Sequence, residues 1–419
     1  MFFNAENIGI VANMMSEEKS SPDHRRIGRE RDLFVFSDLV GSGLPLWTPR
    51  GTLVRNLLDD YVWELRKERG YMKVQIPHIT KKDLYETSGL WDKFKDDLFH
   101  IKTREKDELA LKPMNCPHHI QIFARHPHSY REMPQRFAET TMMYRDEQSG
   151  ELNGLSRVRA ITIDDAHVFC REPQVKEEAQ KIWDIIQEFY KTFGFSLKVR
   201  LSFRDPEHPE KYLGDSNRWE YSEKILREVA KENNVETIDG PGEAAFYGPK
   251  LDFMAKDSLG REWQVATIQI DMNMPERFDL TCVNEKGAKE RIVMVHAAIM
   301  GSIERFLSVI LEHLNGALPV WLSPTQVKVL PVSEKHAAYA EKIAMALKAA
   351  DIRIDMDPNG SLGKRIRNAK LEKIPYYIVV GDQEVESHTI TIENREGAKE
   401  TVSIEKCIEK LARDIASRQ

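Results

Sequence analysis

The chain has 419 residues, with 61 Lys+Arg against 67 Asp+Glu and a formal net charge of −6. Hydrophobic residues at 41% and charged residues at 31% describe an ordinary globular chain of two or three domains whose core needs no disulfide staples. No run of about 18 apolar residues occurs, and the slight acidic excess argues against coating bulk nucleic acid while leaving room for a local basic patch. Cys116, Cys170, Cys282 and Cys407 lie far apart and form no CxxC, the pattern of a reducing compartment. The N-terminus carries no basic lead and no small-residue cleavage site, so a soluble, cytoplasmic protein is expected.

Residues 1–22 show no sustained period and read as a loose arm; the arginine-rich DHRRIGRERD, from Asp23, starts the folded body. Leu53, Val54, Leu57, Leu58, Tyr61, Val62 and Leu65 form an apolar stripe at helical spacing over 52–68, stopped by Gly70, and 72–76 reads as a strand. Runs at 137–145 and 157–163, joined by the polar loop DEQSGELNG, read as a long antiparallel hairpin. A helix is expected over 174–193, strands over 197–203, 251–255 and 262–271, and a helix over 299–314. More hairpins than βαβ units predict an α+β domain on an antiparallel sheet. LPVWLSP, with two prolines, marks a boundary, giving an arm over 1–22, one domain over 23–324 and a second over 325–419. In the second, strands at 327–331, 352–355, 376–380 and 389–393 alternate with helices at 334–350, 363–373 and 403–417, a small, mostly parallel α/β unit.

On a regular strand, Arg157, Arg159, Ile161, Ile163, Asp165 and His167 share one face. With Arg145 before the loop they suit a polyanion, because guanidinium forks bind phosphate oxygens in pairs; a solvated, ion-paired face is the plainer reading of the pattern. Cys116, His167 and His296 supply a thiolate and two imidazoles, a zinc-compatible set. Their separations match no local zinc motif, and from spacing alone a buried thiol and two core histidines serve as well. Gly301, four residues before Arg305 on the expected helix, would let a ligand lie against the backbone under that arginine; a packing glycine and a surface arginine fit equally. Lys364, Arg365, Arg367, Lys370 and Lys373 make a basic helix that is either a solvated face or a track for an RNA backbone.

Taken in order, TPRG (48–51), KPMNCP (112–117), YRDEQSGELNGLSRVR (144–159), DDAHVF (164–169), AAFYGPKLDF (244–253), ATIQIDM (266–272) and HAAIMGSIERF (296–306) resemble the class II aminoacyl-tRNA synthetases, and among them the threonine-specific family. The resemblance runs from about Asp23 to the C-terminus. It implies a class II antiparallel-sheet catalytic domain followed by an α/β anticodon-binding domain, a homodimer through the first motif, and tRNA(Thr), ATP and threonine as partners, with no membrane. It implies one Zn²⁺ on Cys116, His167 and His296, and Mg²⁺ with ATP. Asp165 matches the residue that accepts from the substrate hydroxyl, and Tyr247, Gln264 and Met114 match pocket positions. Arg145 matches the arginine bridging the amino acid carboxylate and the ATP α-phosphate, Glu147 an adenine contact, Arg157 a γ-phosphate contact and Arg305 the third-motif arginine on ATP. Lys250, Gln269 and Ser302 match further active-site positions, and Glu386 and Arg395 fall where the family contacts anticodon bases.

The chain departs from the family at several points. Ile161 and Ile163 stand where an adenine-stacking Phe and often Gln occur, His118 where glycine follows the ligand cysteine, and Thr48 where His or Leu is frequent. The ubiquitin-like and editing regions of most bacterial members find no match, so serine misacylation is expected to go uncorrected by this chain. A seryl or prolyl relative is set aside by the Cys/His/His set. A synthetase-like RNA-binding or regulatory protein without catalysis is set aside by the retained arginines.

Overall fold

A computed structural model describes residues 22–357 and 360–418, so all of the expected arm but Pro22 lies outside the described residues. Asp23 caps helix α1 (His24–Glu30), its carboxylate accepting from the Arg25 amide. Helix α2 (Pro49–Glu68) begins on proline, whose missing N–H costs nothing in a first turn. It buries Val54, Leu58, Tyr61, Val62 and Leu65, the stripe read from the sequence.

The described chain divides into two compact units. One comprises Phe36–Trp47 and Thr52–Leu307; the other takes described residues up to Val35, Thr48–Gly51 and everything described from Ser308. The first is built on eight strands: β1 (Met72–Lys73), β2 (Gln135–Tyr144), β3 (Ala160–Cys170), β4 (Leu197–Phe203), β5 (Thr237–Pro241), β6 (Lys250–Lys256), β7 (Glu262–Asp271) and β8 (Val293–Ala298). They lie in the order β5-β4-β6-β7-β8-β3-β2-β1, antiparallel except β5 on β4 and β1 on β2. One face carries Phe137, Phe169 and Met294 beneath helix α3 (Cys116–Phe123) and its neighbours Tyr85, Leu98 and Tyr247. Behind the sheet, helix α4 (Val175–Lys191) sets Trp183 on Phe253 at 4.9 Å and Phe189 against Phe306 at 5.2 Å. Helix α5 (Ser216–Glu232) packs beside α4, and helix α6 (Ile303–His313) follows β8.

In the second unit, β9 (Val327–Pro331), β10 (Ile354–Met356), β11 (Tyr376–Val380), β12 (Ile390–Asn394) and β13 (Lys399–Val402) lie in the order β10-β9-β11-β12-β13. The first three are parallel and the last two antiparallel. Helices α7 (Ala337–Ala349), α8 (Leu362–Leu371), α9 (Asp382–Ser387) and α10 (Ile404–Ala416) complete it, around Val327, Ile343, Leu347, Ile378, Val380, Cys407 and Leu411. This α+β sheet followed by a small α/β sheet is the fold class expected.

Three readings change. The helix expected from residue 299 starts at Ile303, because Gly301 is left-handed (φ +70°) and Asp164 ties down the preceding turn. Gly301 therefore shares no helix face with Arg305. The strand expected from Arg157 starts at Ala160, so Arg157 and Arg159 leave the shared face while Ile161, Ile163, Asp165 and His167 keep it. Several elements went unread, strand β8 and helices α3 and α5 among them. Strand β8 is a buried apolar run that periodicity cannot tell from a helix, whereas α5 had readable signals in its Asp215 cap and its Trp219–Ile225–Leu226–Val229 stripe.

Candidate active site

Strand register does the assembling. Lys250 pairs with Gln269, Gln269 with His296, His296 with His167 and His167 with Phe137, so these residues form one row across β6, β7, β8, β3 and β2. Residues in such a row project from the same face. Over the row, the N-terminus of α3 brings down Cys116. The candidate ligand atoms of Cys116, His167 and His296 lie within 4.8 Å of one another, and all three residues are buried. Separations too long for a local motif are thus closed by two neighbouring strands and one helix.

A contact to one nitrogen of each imidazole leaves the other nitrogen for a metal. His296 Nε2 lies 3.0 Å from the buried Asp271 carboxylate, leaving Nδ1. His167 Nδ1 lies 2.8 Å from His119 Nδ1, leaving Nε2, which is 3.9 Å from an Asp165 oxygen. Asp271 is itself fixed by the Asn273 and Met274 amides. Burial, with His296 beside it, pushes the His167 imidazole toward its neutral, lone-pair-bearing form, and burial with Asp165 and Asp271 nearby raises the Cys116 thiol. A soft sulfur, two imidazoles and a hydrogen-bond partner behind each ring fit zinc. His119 and Asp271 escaped the sequence reading because neither carries a spacing signal.

Beside this corner, Asp165 accepts from Asn115 Nδ2 at 3.0 Å, and the buried Tyr247 ring lies 5.2 Å from His296. Met114 is half-buried against the same apolar cluster. Further along the face, Asp252 is fully buried and accepts from Ser202 Oγ, Lys250 Nζ, Gln264 Nε2 and Thr267 Oγ1 at 2.7–2.9 Å, with Arg200 at 3.1 Å. A register shift between β6 and β7 at Phe253/Met254 lets Gln264 and Thr267 reach the same carboxylate. Gln269 is buried and donates to the Gly248 carbonyl at 3.0 Å. Asp252, unread in the sequence, is the hub holding Lys250 and Gln264.

The cationic residues lie at the hairpin mouth. Arg145 is half-buried over the Phe94 ring (5.4 Å), its Nε has no hydrogen-bond partner, and burial lowers its pKa. Arg157 is exposed and donates to Glu147 at 2.8 Å and to Glu151 at 3.2 Å, which raises its pKa. Arg305 lies over Trp263 at 5.6 Å; burial and the neighbouring Arg157 lower its pKa. Ser302 donates to Glu304 at 2.9 Å and accepts the Arg305 amide. In the C-terminal unit, Glu386 is exposed on α9, whereas Arg395 donates to the Lys373 and Leu318 carbonyls at 2.7–3.0 Å.

Residues 99–314 match the model of the tRNA synthetase class II core domain (G, H, P, S and T), and residues 326–414 that of an anticodon binding domain. The chain belongs to the class II tRNA synthetase family, in the branch whose curated members are threonine–tRNA ligases. It is 47% identical over 409 residues to a threonine–tRNA ligase of Porphyromonas gingivalis, covering 96% of this chain and 63% of that protein. A Gloeobacter violaceus threonine–tRNA ligase is 45% identical over 413 residues, covering 96% and 66%. The chain thus spans just under two thirds of the length of these curated relatives. The crystal structure described as the RNA binding domain of threonyl-tRNA synthetase from Cryptosporidium parvum Iowa II superposes with a TM-score of 0.89 at 36% identity, covering 93% of this chain and 98% of that one. Among the described residues no helix is long and apolar enough to cross a membrane.

Proposed function

We propose that this chain is a threonine–tRNA ligase: it activates threonine with ATP and passes the threonyl group to the 3′ end of tRNA(Thr). The observation that carries this reading is the buried convergence of Cys116, His167 and His296 beside the Asp165 carboxylate. Cys116, His167 and His296 would hold zinc, which when bound would act as a Lewis acid toward threonine's amino and hydroxyl groups. Asp165, kept in place by Asn115, accepts a hydrogen bond from the threonine hydroxyl, and Tyr247, Met114 and Gln264 close the pocket. Valine offers no hydroxyl, so its binding would forgo the hydrogen bond that Asp165 accepts from threonine.

Arg145 bridges the threonine carboxylate and the α-phosphate, aligning in-line attack on phosphorus with loss of pyrophosphate. Such a transfer needs positioning and fixed positive charge more than an acid or base. Arg157 and Arg305 take the outer phosphates, with Mg²⁺ accompanying ATP, while Glu147 and Ser302 line the nucleotide and Lys250 and Gln269 the floor. Domains over 23–324 and 325–419, a homodimer through α2, and Glu386 and Arg395 at the anticodon complete the proposal. Since Arg395 already serves two backbone carbonyls, it would meet a base only with its remaining N–H groups. The test is pyrophosphate exchange with a panel of amino acids. Threonine-dependent exchange far above that with proline or valine is expected; exchange with another amino acid, or none, overturns the reading.

A further inference from the structure

Behind the metal corner lies a charge pair that neither the substrate pocket nor the phosphate mouth uses. Arg66, from α2, heads the largest fully buried side chains of the described residues, with 2% of its surface exposed. Its guanidinium pairs with the Asp164 carboxylate at 2.5 Å and donates to the Ala297 carbonyl at 3.2 Å and the Asp165 carbonyl at 3.4 Å. Asp165 stands two residues before His167 in β3, and Ala297 directly follows His296 in β8. Asp164 faces away from His167, and its second oxygen accepts the amides of Ile299 and Met300, both at 2.8 Å. Its own amide donates to the Gly301 carbonyl at 3.0 Å, and Tyr190 holds the Ile299 carbonyl at 3.0 Å. One buried pair therefore touches both ligand-bearing strands and the turn that leads to Ser302 and Arg305.

We infer that Arg66, through its ion pair with Asp164, is the positioning residue that holds the metal corner and the turn before Arg305 in one fixed relation. An outer-level pack of apolar side chains could support these strands but could not set their carbonyls and amides in register with a charged group. Arginine suits the task because its planar fork holds several N–H donors in fixed directions, whereas a lysine ammonium is a compact point charge with three rotatable donors. The inference rests on the proposed function only for what is positioned, not for the contacts themselves.

Arg66→Lys keeps the charge opposite Asp164 and removes the fork. Native-state hydrogen exchange is expected to rise about tenfold or more in peptides covering 160–170 and 293–305, with α5 and the C-terminal unit unchanged. Zinc release to a chelator should accelerate by a similar factor, and kcat for pyrophosphate exchange should fall further than the KM for threonine rises. Arg66→Met combined with Asp164→Asn, which keeps an acceptor for the Ile299 and Met300 amides, should give the same local pattern if the lysine variant folds poorly. Unchanged exchange, or a uniform rise across the whole catalytic unit, overturns the inference. Wild-type protein lacking zinc and threonine-dependent exchange overturns the proposed function instead, while the hydrogen-exchange pattern still decides Arg66.

Discussion

The Cys116–His167–His296 corner and the arginine-lined hairpin mouth are built by opposite rules. At the corner, Cys116, His167 and His296 are buried, each imidazole has a partner on one nitrogen, and the candidate ligand atoms lie within 4.8 Å of one another. At the mouth, Arg157 is exposed and neutralised by Glu147 and Glu151, residues of its own loop. A rigid, desolvated corner discriminates between small ligands because nothing relaxes to accept the wrong one. A solvated mouth binds a highly charged ligand by exchanging one set of ion pairs for another, at small net cost on either side.

That contrast orders the expected effects of mutation. Cys116→Ser or His296→Ala should reduce metal content from about one ion per chain to near none and abolish threonine activation, since structure and metal binding are coupled. Elemental analysis that finds no zinc in active protein removes the corner from the mechanism. Arg145→Ala and Arg305→Ala should each lower kcat/KM for pyrophosphate exchange by about 10²–10³, the scale of losing one fixed charge at a transferring group, with the thermal midpoint unchanged. Near-normal exchange in either variant would reassign that arginine.

Asp271→Asn, one layer behind His296, should weaken zinc affinity by about 10–100-fold in a chelator competition while leaving ATP-dependent steps of metal-loaded enzyme close to normal. Equal metal affinity would mean the 3.0 Å contact orients nothing. Discrimination between threonine and serine, which differ by a methyl, should be only about 10–200-fold in kcat/KM, whereas valine should be rejected more strongly. Measured preferences in the reverse order would place an apolar pocket, not the corner, in charge of selection.

The smallest effect concerns Lys112, buried at the edge of the corner with its ammonium on Thr141 Oγ1 at 2.9 Å. Burial holds its pKa down to about 8. An unfolded lysine titrates near 10.4, so between those values the unfolded chain binds the extra proton and stability rises with pH, by about 1 kcal/mol per pH unit at most. Lys112→Met should abolish that component of the slope. Urea melts of both proteins at pH 8 and 9.5 measure it, and parallel slopes would show that Lys112 is better solvated than its burial implies.

Much of the architecture was legible because local physics sets it. The α2 stripe, the strands at 197–203, 262–271, 327–331 and 376–380, and the shared face of Asp165 and His167 follow from periods of 3.6 and 2. The motif order likewise singled out Cys116, His167, His296 and the arginines as candidates, and the fold brings the first three together. What tertiary structure decided is the meeting of distant segments. Residue order cannot say that His296 pairs with His167, that His119 and Asp271 stand behind the two rings, or that Asp252 gathers Lys250 and Gln264, because sheet register is fixed by the packing of whole strands. Nor could periodicity foresee that the apolar run after Val293 would become a central strand, with a turn pinned by Asp164 before the helix begins. There the backbone answered to a buried charge supplied by Arg66, more than 90 residues away in the chain.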